Sequence, residues 1–451
     1  MPKVLFATLT TSRYNYGSAL AELSDTIDSL EQIVILEDIS SSQRLLPLQP
    51  GYLRYDEILE RGSRNTIEID NLERRIKSDA ILNLQFTSGS TGAPKAAALT
   101  HRGMLNSARY IGLQMSVSHQ DKIVIPVPLF HAFGLVMGVC CALVQGATIV
   151  LPSEYFDAAA TLQAVDRLQC TGLYGVTTMF IDEMSHRQFL KTKRSTLRFG
   201  IMAGSAMPEE LLSRVMSTFP IPALFTNWGM TELSSVATMT TATDPVSKKM
   251  KTAGRLLPNF VAKIVEPDTG RVLPWGQRGE IVVSGFGVMH SYYGNPEQTR
   301  KTIQVHEEDL LPNQAGADAQ GRLRRWMHTG DEGYLDEEGY FVITGRIKDL
   351  IIRGGENISP LEIESRLYDH PAIKQAVVFG VPNERYGEAV AAMLELQDGR
   401  EVRPSDQEIK AWVRASLSRY KVPVHIWWLG DQDSGDPKPV AKDRQREAEK
   451  T

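Results

Sequence analysis

Short, uninterrupted apolar runs recur along this chain with helix-like segments between them: Val4-Leu5-Phe6, Ile33-Val34-Ile35-Leu36, Ile123-Val124-Ile125 and residues 147–151. A strand with one wet face alternates apolar and polar residues, so a run without polar positions must be covered on both faces. The pattern predicts an α/β fold, with a mainly parallel sheet packed between helices. Residues 132–151 test that expectation hardest, because they carry almost no polar side chain and are long enough to tempt a membrane reading. Gly146 interrupts the run. We read it as a buried helix through Val144, a Gln145-Gly146 turn and a buried strand over 147–151, and expect no membrane span.

The texture changes twice further on. From about 252 to 283 the chain breaks into β-rich pieces, 261–265 and 280–283, separated by Gly and Pro turns, as in a barrel-like or antiparallel subdomain. Beyond Arg346, the segments 363–368, 376–379, 389–396 and 409–416 read as helix, strand, strand and helix, a small α+β unit. The expected organisation is a large N-terminal domain over 1–345, its β-rich part at about 252–345, and a C-terminal α+β domain over 346–451. Residues 305–325 and the tail from Gly430 are polar and read as solvated.

At 451 residues the chain exceeds one ordinary core. Its net charge of −5 comes from interspersed acids and bases, which leaves no broad basic surface for nucleic acid. Cys140, Cys141 and Cys170 sit in apolar surroundings and read as reduced core thiols, pointing to an intracellular, cytoplasmic protein. Residues 1–10 read as a strand and not a signal peptide, and the last four residues are no Ser-Lys-Leu address; a mitochondrial or peroxisomal site stays open.

The most specific local signal is Phe86-Thr87-Ser88-Gly89-Ser90-Thr91-Gly92-Ala93-Pro94-Lys95, after the apolar 81–84 run. Two glycines let backbone amides converge, four hydroxyls add donors, and Lys95 brings mobile positive charge, so the segment is suited to cradle an anion. It lacks the Walker spacing, since Ala96 follows the lysine, and Gly285-Phe286-Gly287 lacks the third glycine of a dinucleotide fingerprint. Other segments are bland when taken alone: His131 after Pro128-Leu129-Phe130 reads as a packed histidine, Ala203-Gly204-Ser205 as a strand-to-helix turn, Thr231-Glu232 as a helix N-cap, and Thr329-Gly330-Asp331 as an ordinary turn.

Together and in order these motifs closely resemble those of the acyl-adenylate-forming superfamily, which includes acyl-CoA synthetases, aryl-CoA ligases, luciferases and peptide-synthetase adenylation domains. The resemblance rests on 86–95, 128–131, 203–206, Asn227-Trp228-Gly229-Met230-Thr231-Glu232, 329–331 and Gly345-Arg346-Ile347-Lys348-Asp349 running on to Gly354-Gly355-Glu356-Asn357-Ile358. It implies an ATP-dependent acid:CoA ligase that uses Mg2+, ATP and CoA, with an acyl-acceptor enzyme possible downstream. By resemblance, Thr87, Ser88, Gly89, Ser90, Thr91, Gly92 and Lys95 take the phosphates, and residues 227–231 lie at the nucleotide with Thr231 on the α-phosphate. Glu232 holds magnesium, a hard cation that prefers oxygen. Asp331 meets the ribose and Arg346 the ribose or phosphates. His131, Ala203, Gly204 and Ser205 border the acyl group, Lys348 is the hinge of a mobile C-terminal domain, and Arg353, Gly354 and Gly355 approach CoA. The wording of 354–358 and of 173–180 is similar to medium-chain synthetases of mitochondrial and fungal type.

Two departures stand out. The family's C-terminal Gly-Lys is missing from Asp436-Pro437-Lys438-Pro439-Val440-Ala441-Lys442, where Lys442 is the expected equivalent of the adenylation lysine. Relatives also carry a further N-terminal segment, so Met1 is expected to enter mid-domain. A non-catalytic or partly active adenylate-binding remnant is therefore the alternative.

Overall fold

The computed structural model describes residues 2–36, 51–63, 69–87, 94–203, 209–306, 324–354, 356–383, 385–397, 399–400 and 402–429. The expected alternation is realised as a five-stranded sheet in the order Ala223–Phe225, Phe199–Met202, Gly172–Gly175, Lys122–Val124, Thr148–Val150. Every neighbouring pair is parallel. Successive side chains leave a strand on opposite faces. Ile123, Tyr174, Phe199, Ile201 and Phe225 accordingly join one apolar cluster with Ala108 and Ile111 of the helix His101–Gln114. Val124, Leu173, Met202 and Leu224 join another with Leu162 and Val165 of Ala158–Leu168 and with Leu212 and Val215 of Glu209–Thr218. Two covered faces keep the interior positions apolar, which is why these strands lack alternation, while the polar Lys122 and Thr148 sit exposed at the starts of theirs.

Residues 132–151 follow the expected helix, turn and strand order, but the expected burial fails at its ends, where Leu143, Val144 and Leu151 are exposed and Thr148–Val150 is an edge strand. π-Helical turns over Phe133–Cys140 pass into the α-helix Cys141–Gln145, Gly146 turns the chain, and Thr148–Val150 is a sheet strand. Among the described residues, no helix is long and apolar enough to cross a membrane. All three cysteines are free thiols, and burial pushes Cys141 up to about 12 and Cys170 up to about 11.

Packing divides the chain into two units, Met1–Lys77 and Ser78–Thr451. The first holds a parallel sheet of Val4–Ala7, Gln32–Ile35 and Tyr52–Arg54, with Leu20 of the helix Gly17–Thr26 against Ile33 and Ile35. The second holds the parallel sheet above and, from residue 260 on, two further sheets. An antiparallel one runs Phe260–Val265, Gly279–Gly285, Trp326–Leu335, Ile303–Gln304, with Phe341–Arg346 also paired to Trp326–Leu335. The last sheet contains the long antiparallel pair Ile373–Asn383 and Gly387–Leu396, joined by Ile351–Arg353, Glu356–Ile358 and His425–Trp428. Ile363 and Leu367 of Pro360–Tyr368 and Ile409 and Val413 of Asp406–Arg414 bury against it. The helix, strand, strand, helix order read from the sequence is thus present. Ser405 and Glu408 cap the last helix reciprocally, each side chain accepting from the other's backbone N–H. The 305–325 loop and the charged tail fall largely on 307–323 and 430–451, outside the described residues.

Candidate active site

Strands Ile81–Thr87 and Lys95–Thr100 pair antiparallel with Thr87 opposite Lys95, so the two ends of the hydroxyl-rich segment are held side by side. Ser88, Gly89, Ser90, Thr91 and Gly92 lie outside the described residues. A third short strand, Ser291–Tyr292, pairs with Lys95–Thr100, and the Lys95 ammonium stands 5.5 Å from the Tyr292 ring centroid.

The Thr231-Glu232 pair arrives from the far side of the sequence. Its strand, Asn227–Trp228, leads into Gly229, where an added Cβ would meet Ser235 O at 2.0 Å, so only glycine permits this close return of the backbone. Thr231–Leu233 is a single 3₁₀ turn, followed by Ser234 and Ser235 in left-handed backbone at φ 54° and 94°. That conformation is unusual outside glycine and persists only where the surroundings enforce it. Here the Ser234 hydroxyl donates to Gly287 O at 2.8 Å. No α-helix follows, so the N-cap reading of Thr231-Glu232 falls. The reversal drives Glu232 inward to 6% exposure, and the Tyr292 hydroxyl donates to its Oε1 at 2.7 Å. Burial, reinforced by the Glu232 charge, raises the Tyr292 pKa, so the phenol stays a donor and leaves Oε2 free of it. Tyr292 escaped the sequence reading because an aromatic next to an apolar strand looks like core.

Thr87, Lys95, Met230, Glu232, Arg346 and Lys348 line one cleft of about 420 Å³, together with Lys301. Four cationic side chains against the carboxylates of Glu232 and Glu280 suit a polyanion. Asp331 stands behind Arg346. It is 6% exposed, its Oδ2 accepts from Trp228 Nε1 at 2.8 Å, and its Oδ1 lies 3.1 Å from Arg346 Nε without a hydrogen bond. Burial raises its pKa despite the opposing Arg346 charge. A buried acceptor left without a hydrogen bond fits a diol or ribose hydroxyl. Among the described residues, no three His, Cys, Asp or Glu side chains are grouped to hold a metal. Glu232, with Oε2 not taken up by Tyr292, offers hard oxygen, which fits magnesium, a cation that keeps water and phosphate ligands beside one or two carboxylates.

Other expected site residues lie elsewhere. Asn227, Trp228 and Gly229 line a second cleft of about 610 Å³ with Thr344, Ser359 and Glu362. His131 is exposed, its Nδ1 accepting the Phe133 N–H at 3.2 Å, and Ala203 is buried in the apolar cluster. Arg353 lies 5.1 Å from the Tyr386 ring, and Gly354 N–H donates to Tyr386 O at 2.8 Å. None of these seven lines the 420 Å³ cleft. Gly204, Ser205, Gly355 and Lys442 lie outside the described residues.

The fold is that of the adenylate-forming enzymes. The family model for AMP-binding enzymes matches residues 2–293, and that for the AMP-binding enzyme C-terminal domain matches 362–434. An acyl-CoA ligase of Aspergillus fumigatus, sidI, is 38% identical over 445 residues, spanning 97% of this chain and 71% of the relative. A mitochondrial medium-chain acyl-CoA ligase of Danio rerio, ACSF2, is 37% identical over 85% of this chain and 60% of its own. The o-succinylbenzoate CoA synthetase of Bacillus subtilis, solved with its acyl-adenylate intermediate, superposes with a TM-score of 0.71 at 28% identity, covering 95% of this chain and 80% of that one. The chain belongs to the AMP-binding enzyme family. It is an AMP-forming acyl-CoA synthetase with ATP, Mg2+ and CoA as its reaction partners, and the non-catalytic alternative gives way.

Proposed function

We propose that the 420 Å³ cleft is where this synthetase joins a fatty or related carboxylic acid to ATP, and that CoA then collects the acyl group. The observation that carries the reading is the meeting of Lys95 and Glu232 in one cleft through Tyr292, although they lie far apart in sequence. In the first step a carboxylate oxygen bonds to the α-phosphorus, the bond to the bridging oxygen breaks, and pyrophosphate leaves with the electron pair. Two anions must meet, so the barrier is set by charge and alignment. Lys95, with the hydroxyls and amides of Thr87, Ser88, Gly89, Ser90, Thr91 and Gly92, holds the phosphates. Thr231 donates to the α-phosphate, and Asp331 and Arg346 fix the ribose end. Glu232 would hold magnesium, which supplies neutralisation of the polyphosphate charge. Lys442 takes the role of the adenylation lysine. In the second step the CoA thiolate bonds to the acyl carbon and AMP leaves.

His131, Ala203, Gly204 and Ser205 border the acid, and Arg353, Gly354 and Gly355 the CoA arm. The domain break falls at 346, with Lys348 as the hinge, so that residues 346–451 serve each half-reaction in turn. The likeness to medium-chain ligases supports an aliphatic acid, and the buried free thiols support an intracellular site. The test is AMP release with ATP, Mg2+, CoA and a panel of aliphatic and aryl acids. Acid-dependent AMP release that Lys95→Ala lowers by about 10²-fold or more supports the reading. Acid-dependent release that is indifferent to Lys95→Ala would sink it.

A further inference from the structure

The strand Trp326–Leu335 carries an irregularity at the site's edge. Glu280 pairs with Glu332 and Val282 with His328, so two steps along one strand face four along its partner. Residues 329–331 therefore leave the ladder with Gly279–Gly285, although Asp331 stays paired with Arg346 on the other side, and Gly330 takes left-handed backbone at φ 70°. Amides released from a ladder in a buried setting need other acceptors. Glu280, 8% exposed, supplies one: its Oε1 accepts the Gly330 N–H at 3.0 Å, and its Oε2 meets His328 Nδ1 at 2.7 Å. The far nitrogen of that ring, Nε2, lies 3.1 Å from His306 Nε2, so one of the two donates and the other accepts. With the carboxylate drawing the His328 proton to Nδ1, His328 Nε2 is the acceptor. The Thr329 hydroxyl closes the bulge, donating to Ile281 O at 2.7 Å and accepting from Asp331 N–H at 3.1 Å.

We propose that Glu280, oriented by His328, is a positioning residue for nucleotide recognition: it fixes the bulge that aims Asp331 Oδ1 at the ribose. The proposal rests on the reading of Asp331 as the ribose contact. Glu280 itself touches no substrate in it. A carboxylate bonded to one amide and one imidazole has a defined direction that an apolar side chain at this strand position lacks.

The test is calorimetric binding of ATP and of 2′,3′-dideoxy-ATP, which lacks the hydroxyls Asp331 would meet. The unsubstituted protein should prefer ATP by about tenfold, the size of one or two hydrogen bonds to a charged group. Glu280→Ala should remove most of that preference while leaving dideoxy-ATP affinity within about twofold, and Glu280→Gln, which keeps an acceptor for Gly330, should restore much of it. A Glu280→Ala protein that keeps the full preference, or that weakens both nucleotides equally, overturns the proposal. Should Glu280→Ala fail to fold, His328→Ala decides, and an unchanged preference there overturns it equally. If Asp331→Ala also keeps the preference, or ATP does not bind the unsubstituted protein, the ribose reading itself has failed.

Discussion

The parallel sheet and the antiparallel sheet that follows it in the chain share an apolar cluster but differ in regularity. In the first, the ladder pairs without shifts and its buried side chains are apolar almost throughout. In the second, the ladder slips around Glu280 and again around Glu332, and Glu280, Thr329 and Asp331 are buried there. A regular ladder satisfies its own backbone, leaving side chains only to pack. An irregular one frees backbone groups that carboxylates and hydroxyls must satisfy, and those contacts confer direction as well as energy. Both sheets bury apolar side chains, and the irregular one adds buried polar contacts that set direction.

The sharpest way to break this contrast is Phe199→Ala in the regular sheet. Phe199 is fully buried and packs edge-on to Tyr174 at 6.4 Å. The substitution should cost about 3–5 kcal/mol in urea unfolding and leave the KM for ATP within about twofold. A large rise in KM without loss of stability would dissolve the distinction. Next in size is Glu232→Gln, which keeps shape and removes charge; adenylation should fall about 10²–10³-fold with the urea midpoint unchanged. A variant that instead unfolds would make Glu232 a structural residue.

The smallest effect sharpens the contrast most. Burial raises the pKa of folded Asp331 above its unfolded value, so the folded chain holds the extra proton between the two, and stability falls as pH rises through that window. Asp331→Asn removes the cost. Its unfolding midpoint should sit about 1–2 °C above that of the parent at pH 7, and the gain should vanish below the ordinary carboxylate value of 3.8. A midpoint that falls at pH 7 would show the buried charge to be stabilising.

Much of this was legible in the chain itself. The apolar runs at 33–35 and 123–125 announced buried strands, whereas Val4, Phe6 and Leu151 of the other runs are exposed, and the spacing of Gly and Pro marked the change to antiparallel pieces, because burial and turn geometry are local in their demands. Lys95 was readable as a candidate because glycine, hydroxyl and charge together are uncommon in a turn, and Glu232 only through the resemblance of residues 227–232 to the family's motif. Tyr292, Lys301 and Glu280 were not. A tyrosine, a lysine or a Gly-Glu step beside an apolar strand is ordinary in any sequence; Tyr292 and Glu280 acquire meaning from partners distant in the chain, and Lys301, paired with Glu297 four residues away, from the cleft it lines.

The sequence by itself determined which segments bury and which local turns are possible, since hydrophobic periodicity and glycine freedom act over a few residues. Tertiary structure alone decided that Asn227 and Gly229 face a different cleft from Glu232, that a tyrosine clamps the candidate magnesium ligand, and that one buried Asp331 oxygen is left without a hydrogen bond. Those outcomes depend on ladder register and close backbone approach between segments far apart in sequence, and a one-residue slip would change every one of them.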